Sequence, residues 1–192
     1  MRRTPWGPKG EPDVPAVAEP QPDQAWKALS VTNEWIRHAD TKTGVTLAFV
    51  GATVAALFNI VKDEDKWTCA LTLAVGLCAF ALVSSAGFAC AALFPRTRGR
   101  LPNGEEADED AVNLLFFGDI AGHYTKDRPT YLQVLSLLTS DPTRLTRQVA
   151  AQIHENAHIA TTKFKYVNRA IIAELAAVGV AASVAVIATT GW

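Results

Sequence analysis

The sequence predicts an all-α membrane protein: three transmembrane helices with a helical cytoplasmic segment between the second and third. Two observations predict it. Residues 43–61, 67–94 and 170–189, runs of 19, 28 and 20, carry almost no charge. A helix rises about 1.5 Å per residue and the hydrocarbon layer is about 30 Å thick, so about 20 residues cross it. Soluble core helices rarely lack a charged face for five turns. The second observation is the placing of lysine and arginine: six precede the first run, two lie in the next connection, ten lie between the second and third runs, and none follows. Placing the N-terminus and the middle segment on one side puts 16 of the 18 together. Basic residues mark the cytoplasmic side. A multi-pass membrane protein with a cytoplasmic N-terminus is therefore expected.

Residues 1–22 hold six prolines and are expected to form a disordered tail. Residues 23–42 follow as a cytoplasmic amphipathic helix. Trp26, Leu29, Asn33, Ile36 and Asp40 recur at spacings of 3 and 4. No proline or glycine intervenes before Gly44, so one helix is expected to run on through 61. The first apolar run is a retained span and not a secretory signal, because more than forty residues precede it and no small-residue cleavage pattern ends it.

Residues 43–94 form a transmembrane hairpin. Its connection, residues 62–66, is wholly charged, and Trp67 and Phe94 suit the two interfaces. Cys69, Cys78 and Cys90 all lie in the second run and read as small hydrophobes. Residues 95–168 form the helical cytoplasmic domain. A charged linker, 95–111, leads to the apolar piece 113–124 and then a short helix over 131–138. Asp141 suits an N-cap and Pro142 the first helical position. A single helix of 48 residues, 142–189, is expected from there, about 70 Å long. Residues 169–192 carry the third span.

Asp40 and Lys42 stand where the first helix enters lipid. Lysine extends to headgroups there, but aspartate needs a partner, either Arg37 or a basic residue of a neighbouring helix. Glu174 lies about one turn inside the third run, read either as a partly wetted interfacial group or as a pore-facing or interhelical one. Gly51 and Ala55, Gly87 and Ala91, and Gly179 and Ser183 stand four apart, a spacing that favours close helix approach and oligomerisation in lipid. Lys163, Lys165, Arg169, Arg144 and Arg147 line the long helix, either as a solvated stripe or as phosphate contacts. The formal net charge of −1 gives nucleic-acid binding no bulk support.

Four pieces, WIRHADTKTGVTLAFVGA (35–52), NLLFFGDIAGHY (113–124), YLQVL (131–135) and QVAAQIHENAHIATTKFKYVNRAI (148–171), make the chain resemble the transmembrane effectors of Pycsar anti-phage systems. Ala39, Asp40, Lys42 and the run from Phe116 to Ile120 are the most telling. The resemblance implies a partner pyrimidine cyclase that makes cyclic CMP or cyclic UMP on infection. It implies an effector that answers this ligand by oligomerising and impairing the inner membrane, in abortive infection. The effector role implies neither an enzyme nor a resident cofactor. Some members carry a β-roll nucleotide-binding domain, and no strand-rich segment of that kind is found here. Asp40, Lys42, Asn113, Phe117, Gly118, Lys163 and Lys165 are the ligand or gating candidates on this reading.

Two rivals remain. His154, Glu155 and His158 fit H-E-x-x-H, which on a helix aims two imidazoles at one zinc ion and a glutamate at its water, as in a membrane peptidase. The motif lacks an evident third ligand, and Thr161 stands where the longer pattern has glycine. The other rival is a non-catalytic membrane adaptor. P-loop and G-x-S-x-G patterns are missing.

Overall fold

A computed structural model describes residues 19–62, 67–94 and 112–190. Most of the proline-rich tail, the charged turn of the hairpin, the 95–111 linker and the last two residues lie outside them. The elements are α1 (Pro22–Val61), α2 (Cys69–Leu93), α3 (Phe117–Tyr124), α4 (Arg128–Ser140) and α5 (Pro142–Thr190). No strand occurs among the described residues.

Local chemistry sets the ends. Pro22 opens α1 with Asp23 in its first turn. Thr68 caps α2, its hydroxyl accepting from the Leu71 N–H at 3.2 Å. Asp141 caps α5 by accepting from the N–H groups of Thr143 (2.9 Å) and Arg144 (3.2 Å). The long helix then runs unbroken for 49 residues. The helix expected over 131–138 is longer. Asp127 caps it, accepting from the Thr130 N–H at 3.2 Å, and proline in the first turn extends it to Arg128–Ser140. The apolar piece after Asn113 also coils, giving α3.

The three long helices meet along one seam. Buried or half-buried seam residues are Ala39, Thr43, Thr46, Val50, Thr53 and Leu57 on α1, spaced 4 and 3 alternately. On α2 they are Leu71, Val75, Cys78, Leu82, Ser85, Ala89 and Ala92. On α5 they are Lys163, Val167, Ala170, Glu174, Ala177, Ala181 and Val184. Alternating 3 and 4 averages 3.5, the period of a left-handed coiled coil. Alanine, serine, threonine and cysteine dominate, so the backbones approach closely. The threonine hydroxyls are satisfied in place: Thr43 and Thr46 each donate to the carbonyl four residues back at 2.9 Å.

Cross-helix bonds define the register. Asn156 meets Asn33, Lys163 meets Asp40, and Glu174 meets Thr53, so α1 and α5 run parallel. Cys78 donates to the Ala177 carbonyl (3.4 Å) and Ser85 to that of Ala170 (2.9 Å), so α2 runs antiparallel to α5. The large apolar side chains point outward, among them Phe49, Phe58, Leu73, Phe80, Val83, Ile172 and Leu175. Each long helix has a stretch apolar enough to cross a membrane, and only 22%, 22% and 28% of those stretches is buried within the protein. A bundle that turns its largest hydrophobes away from its own seam is built for a lipid solvent.

Candidate functional site

Polar side chains gather at three levels of the α1–α5 contact. The first lies far from the apolar runs. Asn113 Nδ2 donates to Gln152 Oε1 (2.8 Å), Gln152 Nε2 to Asn156 Oδ1 (2.9 Å), and Asn156 Nδ2 to Asn33 Oδ1 (2.8 Å). This amide relay ties the segment before α3 to α5 and then to α1. Gln148 adds two bonds, accepting from the Leu114 N–H (3.3 Å) and donating to the Val112 carbonyl (3.2 Å). Buried Asp119 accepts from the Asn113 N–H at 3.0 Å, holding the turn closed. Gln152 and Asn156 are buried, and such amides are favourable only when bonded.

The second level is ionic. Lys163 Nζ donates to Asp40 Oδ1, with the lysine side chain 17% exposed. Of the two partners expected for Asp40, the residue of a neighbouring helix takes the place. Lys42 Nζ lies 5.4 Å from the centre of the Phe164 ring, whose other neighbour is Trp35 at 6.1 Å. Ala39, Ala92 and Val167 pack beneath, and Ala91, Ala92, Phe94, Ile159, Lys163 and Tyr166 line a shallow recess of about 210 Å³ that includes open solvent.

The third level lies in the apolar seam. Glu174 is 5% exposed. Thr53 Oγ1 donates to its Oε1 at 2.8 Å, and its Oε2 is buried without a partner. Its place about one turn inside the third apolar run left an interfacial and a pore-facing or interhelical position open; the register of the seam adds where it stands against the other helices. Thr53 is near the middle of 43–61. The antiparallel pairing with α2 sets Glu174 level with Ala81, the middle of 67–94. From Lys163 to Glu174 is eleven residues, about 16 Å of helix, roughly half a hydrocarbon layer. In the bundle its carboxyl lies against α1 through Thr53. Arg169, between these levels, lies about 6 Å from the Phe88 and Tyr166 rings.

The structure thus brings together Asp40, Lys163 and, beside them, Lys42. Asn113 joins a separate relay one level away. Phe117 is exposed, its ring 4.9 Å from that of Phe116. A Cβ on Gly118 would stand 2.6 Å from the Phe116 ring, so that ring holds the position to glycine unless it moves. Lys165 is exposed on the outer face of α5. Gln148, Gln152 and Asn156 were not singled out in the sequence as a group, whereas Asn33 was placed on the stripe of α1. The spacing of 4 from Gln148 to Gln152 to Asn156 is the signal that finds them. In the HENAH stretch Asn156 turns inward while the three motif residues face outward: the rings of His154 and His158 lie 4.6 Å apart, and the His154 and Glu155 side chains are 71% and 64% exposed. Among the described residues no group of three or more His, Cys, Asp or Glu gathers as a metal site.

Three membrane-length helices with lipid-suited faces and a polar extension define an integral membrane protein. The family model described as the Pycsar effector protein domain matches residues 24–191. The chain is also 36% identical over 148 residues to the Pycsar effector protein PtPycTM of Propioniciclava tarda, spanning 77% of this chain and 70% of that one. No solved structure matches. The chain belongs to the Pycsar effector family, membrane proteins of antiviral defence.

Proposed function

We propose that the protein is the membrane effector of a Pycsar system. It answers a cyclic pyrimidine mononucleotide, cyclic UMP or cyclic CMP from a partner cyclase, by assembling and impairing the inner membrane. Family membership over residues 24–191 carries this reading. The N-terminus and the segment between α2 and α5 lie in the cytoplasm, where most of the lysine and arginine then falls.

The physical route begins at the amide relay. A ligand that engages the 113–119 turn pulls on Asn113, and through Gln152 and Asn156 on Asn33 of α1. Seven residues on, α1 is held by the Asp40–Lys163 pair, so a shift at the relay loads that pair and the seam beyond it. Binding energy shifts the equilibrium only if it differs between the two packings. Gly51, Gly87 and Gly179 would each meet nothing within 4 Å if given a Cβ, so these close-approach surfaces are free for other copies.

The test is membrane polarisation in cells that express the protein and are supplied with cyclic UMP or cyclic CMP. Depolarisation on addition is expected. Unchanged polarisation at confirmed expression overturns the reading. Phage protection that persists when the cyclase is deleted would instead mark an adaptor.

A further inference from the structure

We infer that Glu174 gives the opened assembly its ion preference, its carboxyl lining the path that monovalent cations take across the membrane. The inference rests on the reading that the effector breaches the bilayer.

The closed bundle has no packing need for this acid. Its seam neighbours on α5 are Ala170, Ala177, Ala181 and the valines 167 and 184, and any small apolar side chain would continue that stripe. A charge at the centre of a membrane is costly and marks a functional position. The seam answers only part of it. Thr53 gives one hydrogen bond to Oε1, while Oε2 is buried and bonds to nothing. A carboxylate has about four acceptor sites, so most of its capacity is unmet. No lysine or arginine lies at its level: residues 43–61 of α1, 69–93 of α2 and 170–190 of α5 contain none. Arg169, the nearest along the helix, rests against Phe88 and Tyr166.

Parting α1 from α5 releases Thr53 and exposes both oxygens to whatever fills the gap. Water and a hydrated cation satisfy them where the seam does not. One acid per copy, at the same depth in a symmetric assembly, forms a ring, and rings of acidic side chains select cations.

The test uses full-length protein reconstituted in planar bilayers under a potassium chloride gradient, with cyclic UMP or cyclic CMP added. The wild type is expected to reverse on the potassium side of zero. Glu174→Gln is expected to conduct with its reversal potential moved to zero, and Glu174→Asp to keep the cation preference. Melting in detergent verifies that each variant folds. A wild-type current whose reversal is unchanged in Glu174→Gln overturns the inference and leaves the proposed function standing. Absence of any wild-type current overturns both. If Glu174→Gln fails to fold, Glu174→Ala takes its place: a reversal potential moved to zero upholds the inference, and an unchanged one overturns it.

Discussion

Asp40 and Lys163 lie 123 positions apart in the chain and meet as an ion pair, and the same offset separates Asn33 from Asn156. Two helices from opposite ends of the sequence therefore share one register over two turns. The pair sits where the polar extension passes into the apolar seam. It is part-buried, so removing one partner strands the other.

Replacing either member alone, by Asp40→Asn or Lys163→Met, is expected to destabilise the bundle by about 1–3 kcal/mol, the penalty for a stranded part-buried group. The exchange Asp40→Lys with Lys163→Asp should recover part of the loss. Thermal unfolding in detergent across the full cycle measures the coupling.

The amide relay predicts a local effect. Gln152→Leu leaves Asn113 Nδ2 and Asn156 Oδ1 without their partners, at a cost of about 1–3 kcal/mol each if they stay buried. Hydrogen exchange over 112–124 is expected to rise, while exchange of α2 stays as it was.

Ser85 and Ala177 separate hydrogen bonding from packing. Ser85→Ala removes one bond to the Ala170 carbonyl, worth about 0.6 kcal/mol by the average for such bonds in lipid. Ala177→Leu overfills a fully buried seam position and is expected to cost about 1–3 kcal/mol. Melting temperatures in detergent should rank the leucine variant well below the alanine one.

The outer faces predict the opposite separation. Gly179→Leu enters open space in the single chain, so unfolding should shift by no more than about 0.5 kcal/mol. Cross-linking between copies in membranes is expected to fall. Equal cross-linking would remove that face from the assembly.

The histidine pair yields a plain expectation. Purified protein should hold far less than one zinc per chain, and the double replacement of His154 and His158 by alanine should keep phage protection. Stoichiometric metal lost in His158→Ala would return the peptidase reading.

Much of the fold was legible in the sequence because lipid leaves few solutions. Runs of the right length predicted three spans, and Asp141 before Pro142 marked the start of α5 to the residue. The partner of Glu174 was not legible. Its place one turn inside the third uncharged run left an interfacial and a pore-facing or interhelical position open, because Thr53 comes to it from 121 positions away. In the fold, Lys163 is answered by Asp40, and Glu174 lies eleven residues further along the same seam. The relay escaped for a related reason: Gln148, Gln152 and Asn156 look like a wet face until Asn113 and Asn33 are brought across from elsewhere in the chain. Only the pairing of distant segments turns such a stripe inward.

The antiparallel placing of α2 on α5 has a consequence for how the molecule is made. Cys78 and Ser85 donate to carbonyls that the ribosome has yet to synthesise when the first hairpin enters the membrane. The hairpin must wait, half-assembled, until residues 170–177 have emerged. A message truncated before the codon for Ala170 should yield a nascent product that quality-control proteases clear, so abundance in the cell reports whether translation passed that point.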